Sequence, residues 1–151
     1  MTILIQLLAS FIGTIAFAIF FDTPKKYYLY CGIIGSIGWG IDLLTDQLLH
    51  STVIATFIAS VALIFLSREA SFGLRAPVTI FLICGIFCLV PGLGIYQFAY
   101  DFFLGNSLDA ANTFVKVFKI SITIALGITL GYELPPTVFY MYRRRQKHEH
   151  N

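Results

Sequence analysis

The chain has 151 residues, of which 58% are hydrophobic and only 12% are charged, and its formal net charge at pH 7 is +2. Ordinary soluble domains carry about a quarter charged residues, so this composition excludes a typical water-soluble protein. A helix needs about 20 apolar residues to cross a bilayer, and long apolar stretches recur here. We therefore predict a single integral membrane domain over residues 1–151, with no room for a separate catalytic or nucleic-acid-binding domain.

Five apolar segments follow one another, and each is predicted to be an α-helix because lipid-facing strands would alternate polar and apolar residues. The fold class is therefore all-α. The predicted helices cover approximately residues 2–21, 28–49, 52–66, 78–104 and 112–132, and a basic tail follows at residues 143–151. Polar or turn-forming stretches separate the helices, such as residues 22–26, 67–69 and 133–136.

The positions of lysine and arginine predict the orientation, because these residues favour cytoplasmic loops. Lys25 and Lys26 follow the first segment, Arg68 and Arg75 follow the third, and an arginine cluster at 143–145 follows the fifth. Five crossings put all three basic regions on one side, whereas four or six crossings would divide them. We expect a multi-pass protein of the cell (plasma) membrane with its N-terminus outside and its C-terminus inside.

Four charged residues are expected within the second and fifth segments, where a charge at the bilayer centre costs about 2.5 to 3.5 kcal/mol. Asp42 and Asp46 share one helical face, as do Lys116 and Lys119. Both pairs are predicted to lie in the outer half of the membrane, so we expect Asp42 to meet Lys119. The four residues are candidates for gating or ion coupling. The alternative is that they are helix-end residues whose charges reach the outer interface.

Glycines line the same two segments at helical spacing. Gly32, Gly35 and Gly38 lie in the second segment, and Gly127 and Gly131 lie in the fifth. Small residues let helix backbones approach closely in lipid, so these five positions are predicted to pack against other helices.

A proline–glycine pair interrupts the fourth segment. Pro91 removes a backbone donor and Gly92 relaxes the helix, which leaves unpaired backbone groups at membrane depth. In transporters with broken helices, the N-terminal end of the second half faces an anionic substrate group. Pro91, Gly92, Gly94 and Tyr96 are therefore candidate substrate-binding residues. The alternative is a proline kink packed by neighbouring helices.

No pattern in the sequence indicates an enzyme or a cofactor. It contains no Ser-His-Asp or Cys-His arrangement and no phosphate-binding loop. Cys84 and Cys88 share a helical face, but no intramembrane histidine joins them, so we predict no metal site. These two residues and Cys31 are expected to be small packing residues.

Three stretches together resemble the threonine/serine exporter family. They are Arg-Ala-Pro-Val-Thr at 75–79, Leu-Val-Pro-Gly-Leu-Gly-Ile-Tyr at 89–96 and Leu-Gly-Asn at 104–106. The glycine-rich residues 31–39 and the five-helix plan fit the same family, so the resemblance covers nearly the whole chain. More narrowly, the chain looks like the small subunit of two-component succinate exporters, which is equivalent to the C-terminal half of the full-length exporter. Family members often carry further prolines where this chain has Cys84 and Cys88, which leaves the extent of helix breaking open.

The resemblance implies export of small hydrophilic metabolites, either amino acids such as threonine and serine or dicarboxylates such as succinate. It also implies a partner, a larger membrane subunit that carries the other half of the exporter, unless a homo-oligomer replaces it. Alternating access moves two bundles against each other, which a lone five-helix unit does poorly. The second hypothesis is an accessory or scaffold subunit that stabilises a transporter without lining its path.

Overall fold

The computed structural model describes residues 2–133, which form six α-helices and one short 3-10 helix. The α-helices are α1 (Thr2–Phe20), α2 (Tyr28–Leu49), α3 (Thr52–Leu74), α4 (Val78–Ile86), α5 (Gly92–Phe103) and α6 (Ser107–Glu133), and the 3-10 helix (Lys25–Tyr27) leads into α2. The described residues contain no strand, which confirms the predicted all-α fold. The basic tail at 143–151 lies outside the described residues.

Four helices in the described part are long and apolar enough to cross a membrane, namely α1, α2, α3 and α6. In place of the predicted fourth span there are two short helices, α4 with 9 residues and α5 with 12. Neither reaches the length of about 20 residues that a single crossing needs.

Helix α3 is longer than predicted, because it continues past the expected end at residue 66 to Leu74. Ser67 and Arg68 were expected outside the helix, but both are buried within it. The helix ends instead at Arg75, which adopts a left-handed conformation with φ 52° just before the Ala76-Pro77 pair.

Arg68 explains why the polar stretch does not end α3. Its guanidinium Nη1 donates hydrogen bonds to the backbone carbonyls of Gly131 (2.9 Å) and Tyr132 (3.2 Å) in the last turn of α6. Carbonyls at a helix C-terminus lack partners within their own helix and carry partial negative charge. A buried arginine is thus stabilised by acceptors that the local sequence does not reveal.

Helix α6 begins at Ser107, five residues before the expected start near residue 112. Asp109 lies in its first turn, where a negative charge stabilises the positive end of the helix. Gly105, with φ 80°, supplies the left-handed turn between α5 and α6.

The helices pack in the order α1, α2, α3, α6 and α5, and α4 packs against α1, α2 and α3. The core between them is centred on the fully buried side chains of Leu63, Ile64 and Phe81. A Cβ atom added at any of the five glycines expected to pack would come closer than 3.0 Å to a side chain of another helix. The pairs are Gly32 with Phe11, Gly35 with Thr14, Gly38 with Leu63, Gly127 with Ser60, and Gly131 with Ile64.

The contacts between helices also give their relative directions. Gly127 lies beside Ser60 and Gly131 lies beside Ile64, so α3 and α6 run in the same direction. The chain between them must therefore return from one end of the bundle to the other, and it does so through α4 and α5.

Candidate functional site

The fourth predicted helix is interrupted between Ile86 and Gly92. After α4, a tight turn forms in which the amide of Cys88 donates to Gly85 (3.3 Å) and that of Leu89 donates to Ile86 (2.9 Å). Pro91 has φ −75° and ψ 60°, which is not helical, and α5 starts at the next residue. The unwound stretch, residues 87–91, is longer than the Pro-Gly pair on which the prediction rested.

The first turn of α5 presents free backbone donors. Pro91 provides no side-chain cap, and the amides of Leu93 and Gly94 have no backbone acceptor among residues 2–133. Gly92 is exposed, and a Cβ atom added to it would meet no atom within 4 Å. The positive end of the α5 dipole therefore carries two unbonded amides next to the exposed Gly92.

The four predicted substrate-binding residues do not all share this surface. Gly92 and Tyr96 are exposed, and the ring of Tyr96 stacks on that of Tyr100 with centroids 6.2 Å apart. Pro91 is half-buried, and Gly94 packs against Val117 of α6, where an added Cβ atom would lie 2.7 Å from the side chain. No residue of α5 is buried, and its main packing partner is α6.

Two contacts hold the unwound stretch against α1. The ring of Phe87 stacks on Phe17 with centroids 4.3 Å apart. The Cys88 thiol lies 2.9 Å from the Thr14 hydroxyl, which itself donates to the carbonyl of Ser10 at 2.7 Å. The interruption is therefore a packed feature with a defined position.

A groove of about 320 Å³ lies where α1, α2 and the unwound stretch meet. We call it the α1 groove and define it by the lining residues Gln6, Ser10, Gly13, Trp39 and Cys88. Sequence reasoning missed this site. The available signal was the run of polar residues Gln6, Ser10 and Thr14 at a spacing of four, which puts them on one face of α1.

The structure does not bring the predicted charge pair together. Asp42 is half-buried beside Thr56 of α3, and its Oδ1 atom has no hydrogen-bond partner in the described part of the chain. Lys119 is exposed on α6. Because α3 and α6 run in the same direction and Gly127 contacts Ser60, Lys119 lies at the same level as the first residue of α3.

Helices α2 and α6, which carry these charges, both pack on α3 rather than extensively on each other. No ion pair joins Asp42 to Lys119 in the described residues. Asp46 is half-buried on α2 and Lys116 is exposed on α6, each one turn nearer the helix end than its neighbour. These positions favour the alternative that the lysines are helix-end residues.

Within residues 2–133, no group of three or more His, Cys, Asp or Glu side chains is arranged to hold a metal ion. The buried thiol of Cys84 contacts the hydroxyl of Thr23 at 3.8 Å, and that of Cys31 lies 4.0 Å from the carbonyl of Ile80. These two cysteines occupy helix contacts.

Comparison with known proteins identifies the family to which the chain belongs. The family model described as "Threonine/Serine exporter, ThrE" matches residues 6–132, which include all the helices except the first residues of α1 and the last residue of α6. An uncharacterized protein of Haemophilus influenzae is 27% identical over 142 residues, which cover 91% of this chain and 48% of the relative. The chain thus spans about half the length of that relative, and no solved structure matches it. The apolar helices, the interruption at Pro91 and the match over residues 6–132 lead to one conclusion: the chain belongs to the threonine/serine exporter family.

Proposed function

We propose that this chain is the small subunit of a secondary exporter of small hydrophilic metabolites, and that it works together with a larger membrane subunit. Membership of the family indicates exporter-type transport across a membrane, because this is a family of transporters and not of enzymes. The substrates would be amino acids such as threonine and serine, or dicarboxylates such as succinate.

The proposed subunit role is supported mainly by the surroundings of helix α5. The helix starts at an interruption with unbonded amides, has no buried residue, and packs mainly on one neighbour. Backbone that departs from a regular helix at membrane depth is tolerated where protein or water covers it. A larger subunit would supply that cover, and the relative of about twice this length is consistent with a second half.

The topology of the proposed subunit has five crossings, with α4 and α5 together forming the fourth. The parallel directions of α3 and α6 require a return between them. The 9 and 12 residues of α4 and α5 give about 31 Å of helix at about 1.5 Å per residue, which matches a bilayer core of about 30 Å.

The orientation proposed is N-terminus outside and C-terminus inside, in the plasma membrane. Contacts between the helices support a bundle whose basic residues lie at one end. Tyr27, next to Lys26, packs on Phe81 near the start of α4, and Arg68 forms a hydrogen bond with the end of α6. A cysteine placed at position 26, in a chain lacking its native cysteines, should resist an impermeant thiol reagent in intact cells. Labelling at that position would overturn the orientation.

In this mechanism the substrate carboxylate is met by the free amides at the start of α5, between Gly92 and Tyr96, where the helix dipole favours negative charge. Asp42 and Lys119 are the proposed gating or coupling residues. Asp42 suits that role because its Oδ1 is buried without a partner among the described residues.

Reconstitution tests the proposal directly. The chain is co-purified with the larger membrane subunit. Efflux of labelled threonine and labelled succinate is then measured from vesicles that contain the complex, the chain alone or the larger subunit alone. We expect efflux of one substrate class from the complex and much less from either subunit. Efflux from the partner alone at the rate of the complex would show instead that this chain is a scaffold.

A further inference from the structure

Helix α4 and the turn after it cover only the first half of one face of α2. The Cys31 thiol lies 4.0 Å from the carbonyl of Ile80, and a Cβ atom added to Gly38 would lie 3.7 Å from the side chain of Leu89. Asp42 follows Cys31 by about three helical turns, so it lies on the same face. After Leu89 the chain leaves this face, because α5 packs mainly on α6. Within residues 2–133, no further helix packs extensively on the second half of the face.

The α1 groove lies beside this uncovered half and has the features of a helix-packing surface. Its lining is mostly apolar and includes Ala9 and Gly13, four residues apart on α1. A Cβ atom added to Gly13 would meet no atom within 4 Å, so the space next to it is open. Small residues at this spacing let a second helix approach closely in a membrane. Trp39 also lines the groove and lies one turn before Asp42, which joins the groove to the uncovered half of α2.

Two carboxylates give this part of α2 a negative charge. Asp42 is half-buried, and its Oδ1 atom has no hydrogen-bond partner in the described part of the chain. Asp46 is also half-buried, one turn further along. Asp42 lies about two turns before the end of α2 at Leu49, so lipid alone would leave its carboxylate against acyl chains. Charged groups at such depth face other protein groups or water. We call the α1 groove together with Asp42 and Asp46 the docking surface.

We propose that the larger subunit packs a transmembrane helix along the docking surface, with a lysine or arginine at the depth of Asp42 and Asp46. The small residues of α1 fit a closely packed helix, and the two carboxylates fit a cationic side chain on it. The proposal rests on the proposed function, because that function supplies the larger subunit as the partner. It goes further by assigning the surface and the charge through which the two subunits meet.

Photo-cross-linking tests which molecule occupies the docking surface. The photoreactive amino acid p-benzoylphenylalanine replaces Gln6, which lines the groove, in cells that contain both full-length subunits. We expect an adduct with the larger subunit, on an apolar helix that contains a lysine or an arginine. Leu8 is the matched control position, because it is exposed on α1 at a similar depth and does not line the groove. An adduct with a second copy of this chain, with lipid alone, or equally from both positions would overturn the proposal.

Asp42→Asn tests the charge at nearly unchanged size. The isolated chain should unfold at the same or a higher denaturant concentration, because a buried carboxylate oxygen without a partner is replaced by a neutral amide. The affinity for the purified larger subunit, measured by titration in mild detergent, should fall at least about tenfold. Glu69→Gln, at an exposed position of α3, should change neither quantity. A less stable chain with unchanged affinity would show instead that Asp42 serves only its own contact with Thr56.

Gly13→Leu tests the shape of the docking surface. In the isolated chain the new side chain enters open space, so the chain should fold normally. In the complex it would occupy the place of the partner helix, and the affinity should fall at least about tenfold. Gly73→Leu is the matched control, because a Cβ atom added to Gly73 also meets no atom within 4 Å and α3 does not line the groove. Equal affinities of the two leucine variants would exclude the groove as the contact.

The outcomes separate this inference from the proposed function. If the reconstituted complex exports substrate but position 6 yields no adduct with the larger subunit, the exporter stands and the docking surface is wrong. If the adduct forms and both Asp42→Asn and Gly13→Leu weaken the complex, but vesicles show no efflux, the docking surface stands and the proposed function fails.

Discussion

The close packing of α3 on α6 yields a prediction whose sign depends on geometry. In an open helix, replacing glycine by alanine stabilises by about 0.5 to 1 kcal/mol. At Gly127, however, the new Cβ atom would overlap the hydroxyl of Ser60 and would lie 3.1 Å from the backbone carbonyl of Phe57. Overpacking of this kind costs about 1 to 3 kcal/mol. We expect Gly127→Ala to destabilise the protein by about 1 to 2 kcal/mol.

Gly13 provides the matched control, since a Cβ atom added there would meet no atom within 4 Å. Gly13→Ala should therefore be neutral or stabilising by up to about 1 kcal/mol. The double variant with Ser60→Ala removes the overlapping hydroxyl and should recover part of the loss at Gly127. Recovery should be incomplete, because the Cβ atom of residue 60 would remain 3.0 Å away.

The assay is equilibrium unfolding of the purified chain in mixed micelles with increasing SDS, followed by Trp39 fluorescence. The free energies of unfolding of the two alanine variants should differ by about 1 to 3 kcal/mol, with Gly127→Ala less stable than the unmodified protein and Gly13→Ala equally or more stable. If Gly127→Ala is as stable as Gly13→Ala, α3 and α6 do not approach as closely as the structure shows.

Three further experiments test other features. Replacing Pro91 and Gly92 by alanine restores a backbone donor, so the stability of the protein should be unchanged or higher by up to about 3 kcal/mol, while export falls. An assembled variant that exports at the normal rate would exclude the interruption from the mechanism. Arg68→Gln removes the charged group that donates to the carbonyls at the end of α6, so the free energy of unfolding should fall by about 2 to 4 kcal/mol. An unchanged stability would show that Arg68 does not stabilise the contact between α3 and α6. In the complex, Asp42→Asn and Lys119→Met should each lower efflux, and their effects should add because the two residues do not meet. Partial recovery of efflux in the double variant would show that they are coupled after all.

The sequence predicts well those features of the fold that local chemistry decides. The start and end of α2 agree with the prediction, because polar residues flank the segment: Lys25 and Lys26 precede it, and His50 and Ser51 follow it. The position of the interruption follows from Pro91 and Gly92 themselves. The unwound stretch also includes Cys88, whereas Cys84 remains helical in α4, which answers how far the breaking extends.

Features that depend on distant residues could not be predicted in this way. Arg68 suggested a helix end, because its acceptors on α6 lie 63 and 64 residues further along the chain. The α1 groove depends on Cys88 meeting Thr14, 74 residues apart. Gln6 is uncharged and gives no strong signal until that contact is known. The expected contact between Asp42 and Lys119 is not seen among the described residues, because a similar depth in the bundle does not make α2 and α6 neighbours.

The division between α4 and α5 has a consequence for how the protein is synthesised. Stretches of 9 and 12 residues are too short to enter the bilayer as independent spans, which need about 20. The main packing partner of α5 is α6, and α6 leaves the ribosome after it. We therefore expect α1 to α3 to enter the bilayer one at a time, and α5 to become stably packed only when α6 emerges. A nascent chain stopped before Ser107 would hold α5 without its main packing partner.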